Sequence, residues 1–255
     1  MIEYSSLIEL GNRTVQEDAI VCLAQNNGKS GDGLHDGCLG FFALADGLGG
    51  HGFGEVASAI VVESARDTFF SKPGDLDACF ISSQKKLIDE QTATGAKKSM
   101  MTTLVLLCFF DGYAQWGHIG DSRMYFFKRK KLVSHTLDHS VPQMLAAIGE
   151  IKEKDIRHHP DRNRLLRSMG IEWNEPRYEL SEKIPLEGNE SFLLCSDGFW
   201  EWIDEKKMSL TLRQAKNPAD WLQRMEKIAS ANAGKSSLSN SSERDNYSAI
   251  TVWIR

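Results

Sequence analysis

Four acids stand at the ends of apolar strands. "FFALADG" closes on Asp46, "WGHIGDS" on Asp121 and "FLLCSDG" on Asp197, and Asp245 immediately precedes the last apolar run in "RDNYSAITVWI". A carboxylate at a buried strand end loses its hydration, which folding tolerates only when the charge is paired or bound to a cation. One Asp-Gly is an ordinary turn. Four such acids in one chain point to a fold that gathers its strand ends at a shared site.

The segments that carry them are rich in β-branched and aromatic residues and read as strands at about 19–24, 40–45, 103–110, 113–119, 124–128, 191–195 and 248–254. Asp111-Gly112 between two apolar runs reads as a tight hairpin turn. Helices are expected over 55–70 and 76–88, and over a third segment opening on Asn217 as N-cap with Pro218 at the first helical position. In that third helix Trp221, Leu222, Met225, Ile228 and Ala229 form one apolar stripe and read as core. Two segments look loose: the polar, glycine-dense 25–40, read as a long exposed hairpin loop, and the serine-rich 234–246. Strands, two helices, more strands and then mixed elements fit α+β layers better than strict βαβ alternation.

Composition narrows the function. The chain of 255 residues is 41% hydrophobic, enough for a large core, and its net charge of −5 argues against nucleic acid or an anionic membrane held by bulk electrostatics. Its five cysteines show no CxxC spacing and read as reduced, mostly buried thiols of a cytoplasmic protein. The first residues, "MIEYSSLIELGNRT", lack a basic-then-apolar signal, and the run "TLVLLCFF" is far too short to span a bilayer.

The glycines after Asp46 raise a rival reading, because "GLGGHG" matches the GxGxxG spacing of a dinucleotide cradle. That fold needs a second strand ending in an acid about 20 residues on. Here Glu63 and Asp67 fall inside the expected helix, and no GK[ST] follows for a P-loop. An all-oxygen set favours Mg²⁺ or Mn²⁺ over zinc. Among the histidines, His135 and His139 in "HTLDH" lack the glutamate of a zinc helix, and the adjacent pair His158 and His159 reads as exposed. In "GNRTVQED", Arg13, Glu17 and Asp18 read alone as a solvated turn; beside a carboxylate–metal site, Arg13 is a natural grip for phosphate.

In order along the chain, "GNRTVQED", "LADGLGGHGFGEVAS", "GHIGDSRMY", "TLDHS", "RNRLLRSMG", "LLCSDGFWE" and "RDNYSAITV" resemble the metal-dependent protein phosphatases of the protein phosphatase 2C type, in their compact bacterial form. The blocks run from Gly11 to Val252. The resemblance implies a single domain over 1–255: a four-layer α-β-β-α sandwich in which a central antiparallel β-sandwich is flanked by helices, with a small flap at about 141–163.

The resemblance also implies site roles. Asp46 bridges two Mn²⁺ or Mg²⁺ ions, the Gly47 carbonyl reaches one of them, and Asp197 and Asp245 complete the second. Asp121, with Asp197 and Glu201, matches a third, weaker metal site. Glu17 and Asp18 hold waters on the metals, Asn246 supports from behind, and Arg13 clamps the substrate phosphate. The expected activity is hydrolysis of phosphoserine and phosphothreonine in proteins, opposing a bacterial Ser/Thr kinase, by a monomer without nucleic-acid or membrane partners. The alternatives are a pseudophosphatase that binds phosphopeptide without turnover and a small-molecule phosphomonoesterase. Leu48 stands where many eukaryotic members carry a candidate acid, so the general acid is open between His51, His139 and a water. Gln16 replaces the more usual Asn of the first block.

Overall fold

The computed structural model describes residues 1–26, 38–48, 52–97, 99–237 and 244–255. Its strands form two antiparallel sheets. One runs β1 (Ile2–Glu9), β12 (Tyr247–Ile254), β11 (Glu190–Cys195), β7 (Arg123–Lys128) and β8 (Lys131–His135). The other runs β10 (Ile184–Pro185), β6 (Tyr113–Ile119), β5 (Leu104–Phe110), β3 (Cys38–Leu48) and β2 (Asp18–Asn26), with β4 (Met101–Thr102) on β3 and β9 (Glu179–Leu180) on β6.

Central strands are apolar on both faces because each face is covered. Along β3, Phe42 and Leu44 enter the core between the sheets, while Phe41, Ala43 and Ala45 pack outward. Phe192 and Leu194 of β11 meet the same inter-sheet core, and Leu193 and Cys195 face the other way. The outward face of the β3 sheet is covered by α1 (Gly54–Ser71) and α2 (Leu76–Thr94). That of the β11 sheet is covered by α4 (Asp197–Trp200), α5 (Glu205–Gln214) and α6 (Pro218–Ser237). The result is the α+β, four-layer α-β-β-α arrangement that the resemblance implied. Among the described residues no helix is long and apolar enough to cross a membrane.

Local chemistry accounts for the elements. Asp111 and Gly112 take φ of 51° and 76°, the left-handed pair a two-residue hairpin turn requires, and Phe110 pairs with Tyr113 across it. Asn217 accepts from the Asp220 N–H at 2.8 Å and starts α6. On α2 the buried polar residues Gln84 and Gln91 carry no apolar payload. Instead they hold a distant turn: Gln84 Oε1 accepts from Gly170 N–H at 2.9 Å, and Gln91 Nε2 donates to the Gly170 carbonyl at 2.8 Å.

Several elements depart from the sequence reading. β1 was not foreseen, since "IEYSSLIE" is a half-buried strand with polar residues on one face; it gains its place by pairing with all of β12. β8 and α5 were also missed. The expected loop at 25–40 is strand at both ends, and its residues 27–37 lie outside the described residues; so do 238–243 of the serine-rich segment, whose start continues α6. The segment expected as a flap contains α3 (Val141–Ala147) and a 3-10 turn, Glu153–His158. Arg157 pins that turn to the Trp200 carbonyl and the Glu205 carboxylate. All five cysteines are free, with Cys79, Cys108 and Cys195 buried.

Candidate active site

Strand period and register bring the acids together. Asp46 shares the inter-sheet face of β3 with Phe42 and Leu44 by the two-residue repeat, so it emerges where the sandwich opens. Its register partner on β2 is Asp18. Asp197 opens α4 directly after β11, and Asp121 follows β6 through Gly120. Glu17, Asp46, Asp121, Asp197 and Asp245 line one cavity of about 240 Å³, with Gly47, Leu48 and Asn246 in its wall. Five carboxylates on one small space repel each other, and the repulsion shows in their proton affinities. Burial raises Asp46 well above the carboxylate range, helped by Asp18, Asp197, Asp121 and Asp245. Burial and Asp245 push Asp197 up to about 6 despite its hydrogen bond with Asp46. Asp121 is raised by burial and then by Asp197.

Asp18 lies behind this group. Its Oδ2 accepts from the Ser196 hydroxyl at 2.9 Å, whereas its buried Oδ1 has no partner. Burial pushes its pKa up to about 7. Gln16 Oε1 accepts from the Asp18 N–H at 2.9 Å.

The backbone around the acids is held from several sides. Asp46 N–H donates to Thr103 Oγ1 at 2.9 Å, and its carbonyl accepts from Thr103 N–H and Thr102 Oγ1 at 2.9 and 2.8 Å. Asn246 accepts from Glu17 N–H at 2.8 Å and donates to the Leu10 carbonyl at 2.9 Å, tying the first block to the last. Trp200 Nε1 donates to the Asp121 carbonyl at 3.0 Å, linking α4 to the Gly120-Asp121 turn.

Two arginines face the acids. Arg13, half exposed on the rim, donates from Nη2 to Asp245 Oδ2 at 2.6 Å, and that hydrogen bond strengthens its hold on its proton. Arg162 pairs with Glu201 at 2.9 Å. Glu201 lines a neighbouring cavity of about 330 Å³ that shares Arg13, Asp197 and Asp245 with the first. Burial and Asp197 push Glu201 up to about 8, against the pull of Arg162.

The histidine expectations fare differently. His51 lies outside the described residues. His139 is buried and does not line the carboxylate cavity: its Nδ1 accepts from Gly120 N–H at 3.2 Å, and its Nε2 faces Glu179 at 3.2 Å. Burial and His118 drive it down to about 4. Its ring nitrogens are thus engaged by Gly120 and Glu179 rather than turned to the carboxylate cavity. Sequence reading missed Thr103, Ser196, Asn163 and Leu165. The first two are buried hydroxyls behind the acids, and the last two line the cavity from the "RNRLLRSMG" segment. That segment's position in an ordered block was the available signal for Asn163 and Leu165.

A family model described as protein phosphatase 2C matches residues 29–241. The chain belongs to the protein phosphatase 2C family. A curated relative, the serine/threonine phosphatase Stp of Listeria welshimeri, is 30% identical over 184 residues, which are 68% of this chain and 72% of the relative. The crystal structure of the Mycobacterium tuberculosis serine/threonine phosphatase PstP/Ppp superposes with a TM-score of 0.79 at 25% identity, covering 100% of this chain and 99% of that one. The PstP catalytic domain solved in complex with two manganese ions has a TM-score of 0.77 at 24% identity, over 99% and 98% of the two chains. In this 2C family member every quoted block except "TLDHS" contributes a residue to the lining of the carboxylate cavity.

Proposed function

We propose that this chain is a metal-dependent serine/threonine protein phosphatase whose centre is the carboxylate cavity, with 1–255 as one catalytic domain and 141–163 as its flap. The observation that carries the reading is the convergence of Asp46, Asp121, Asp197 and Asp245, far apart in sequence, on one cavity. The donors suit hard divalent cations: all are oxygens, their mutual repulsion needs a countercharge, and the buried Asp18 Oδ1 lacks a partner beside them. Asp46, the Gly47 carbonyl, Asp197 and Asp245 would hold a pair of Mn²⁺ or Mg²⁺ ions, and the two manganese ions of the PstP structure support that number. Asp121 with Asp197 would serve a third, and Glu201 would join it by releasing Arg162. Glu17 and Asp18 act through water, and Asn246 fixes Glu17. When bound, such ions supply a nucleophilic water at neutral pH and charge to stabilise the transferring phosphoryl group.

The chain's own residues bind and orient the substrate. Arg13 is exposed, charged and held by a single carboxylate, so it can exchange Asp245 for two oxygens of a phosphoserine or phosphothreonine monoester. Asn163, at the end of the flap, and Leu165, just past it, line the same cavity. The substrate is a phosphoprotein. A bacterial Ser/Thr kinase is the enzyme it opposes, and the monomer is the working unit.

The direct test is turnover of phosphoserine and phosphothreonine peptides by the full chain with Mn²⁺, lost on chelation and restored by adding metal back. Phosphopeptide binding without turnover at any divalent concentration would sink the enzyme reading in favour of a binding module. Arg13→Ala should raise KM for phosphopeptide about ten- to a hundredfold, the range of a lost charge-assisted hydrogen bond, and change kcat less. An unchanged KM would remove Arg13 from the phosphate site.

A further inference from the structure

We propose that His139 is a positioning residue that aims Asp121 into the carboxylate cavity. The inference rests on the reading that Asp121 belongs to the cation site. Asp121 sits on a turn with no regular structure of its own, just past Gly120, whose φ of +105° few other residues adopt. His139 grips that glycine at both polar atoms. Its backbone N–H donates to the Gly120 carbonyl at 2.9 Å, and its ring Nδ1 accepts from the Gly120 N–H at 3.2 Å. The imidazole thus completes a two-bond bridge in which a ring nitrogen stands in for a carbonyl.

The tautomer follows from the partners. A neutral imidazole has one donor and one acceptor nitrogen. Gly120 N–H claims the acceptor, so Nε2 carries the hydrogen and donates to Glu179 Oε1 at 3.2 Å. Arg167 donates to the same Glu179 oxygen at 3.0 Å. On its flank the His139 ring stacks on His118, centroids 4.5 Å apart, and His118 Nε2 is tied to the Leu137 carbonyl at 2.8 Å. Glu179 fixes the tautomer, His118 fixes the plane, and Gly120 receives the result.

His118, His139 and Glu179 also place one ligand atom each within 4.8 Å of one another, as a metal site would. Two observations oppose that use. Coordination through His139 Nε2 would move its hydrogen to Nδ1, against the Gly120 N–H. The Arg167 guanidinium, 3.3 Å from Nε2, already supplies the positive charge there.

The outcome bears on Asp121 because its neighbours are fixed independently. Ser122 Oγ bonds Thr103 Oγ1 at 2.7 Å, and Trp200 holds the Asp121 carbonyl. His139 supplies the remaining restraint, on the N-terminal side. Its carbonyl accepts from Leu166 N–H at 2.7 Å, so the same residue joins the Asp121 turn to the segment carrying Asn163 and Leu165.

The test is Mn²⁺ binding to the metal-stripped full chain by calorimetry, comparing wild type with His139→Leu, His139→Asn and Asp121→Ala. Leu removes the acceptor, whereas Asn places Oδ1 near the position of Nδ1. Groups that orient metal ligands typically cost ten- to a hundredfold when removed, so His139→Leu should weaken the weakest Mn²⁺ affinity by about that factor, and Asn should stay within about threefold of wild type. The kcat pH profile of the Asn variant should overlay that of wild type. His139→Gln, with its amide one carbon farther out, serves as the loss variant if Leu does not fold. Wild-type Mn²⁺ binding in the loss variant, alongside weakened binding in Asp121→Ala, overturns the inference and spares the site reading. Unchanged binding in Asp121→Ala overturns the site reading itself. An Asn variant that loses one limb of its pH profile makes His139 a proton donor instead. Stoichiometric zinc on wild type, lost in Glu179→Gln, makes the cluster a metal site and also overturns it.

Discussion

Asp46→Asn should abolish phosphatase activity, by at least about a thousandfold, and at the same time raise the melting temperature of the metal-free protein. The two effects share a cause. Asp46 is partly buried beside Asp18, Asp197, Asp121 and Asp245, and its pKa is raised first by desolvation and then by those charges. Each unit of upward shift means that ionising the group destabilises the fold by about 1.4 kcal/mol. Asn keeps the shape and removes the charge, so the cation-free fold gains while a carboxylate that would hold the cations is lost. With Mn²⁺ the order reverses: wild type is stabilised by mass action, about 2.7 kcal/mol at a hundred times Kd, and the variant gains far less.

The same charges set a pH dependence whose sign can be worked out. Asp197, Asp18 and Glu201 are pushed up to about 6, about 7 and about 8 from ordinary values of 3.8, 3.8 and 4.5. A carboxyl whose folded pKa lies above its unfolded one binds more protons folded than unfolded between the two values. The metal-free protein should therefore lose stability as pH rises from about 4 to about 8, and Mn²⁺ should flatten or reverse that slope. Thermal melts across this range, with chelator and with Mn²⁺, check both arms. A metal-free melting temperature that climbs from pH 5 to 8, or an Asp46→Asn variant that melts earlier than wild type in chelator, would contradict the repulsion argument.

The acids were legible because each adjoins an apolar run that is a strand in the fold; Asp46 stays in phase with Phe42 and Leu44. The layers were legible for the same reason, since strands buried on both faces must lie beneath other layers. β1 was not, because its burial comes from pairing with β12 at the far end of the chain, a partner its own half-polar sequence does not announce. Side-chain partnership was also invisible. Nothing in "TLDHS" says that His139 turns its ring to a glycine from another block, or in "RNRLLRSMG" that Arg162 takes Glu201. Spacing reveals which face a residue occupies; it does not reveal which of several polar atoms on that face will meet.

Gly47→Ala is expected to have the second large effect, and its size follows from backbone alone. A Cβ at position 47 would lie 2.3 Å from the Gly54 carbonyl oxygen, 2.4 Å from its carbon and 2.7 Å from the Glu17 carbonyl oxygen. Gly47 N–H already donates to that Glu17 oxygen at 3.0 Å, so the end of β3, the Glu17 backbone and the first residue of α1 are pressed together with no flexible side chain to yield. Such overpacking costs about 3 kcal/mol and shifts backbone, here the backbone adjoining Asp46. The variant should therefore lose both stability and, by at least about a hundredfold, activity, because catalytic geometry degrades steeply with displacement. Gly54→Ala separates the two. Its Cβ would meet Glu17 Oε1 at 2.6 Å, the movable end of a side chain, and Gly47 O at 3.0 Å. It should cost less stability but still displace the Glu17 carboxylate from the cavity wall. Urea denaturation and Mn²⁺-dependent turnover of both variants distinguish these effects; a Gly47→Ala protein with the wild-type midpoint and rate would mean that the close approach of Gly47 to Gly54 and Glu17 is not what holds Asp46 in place.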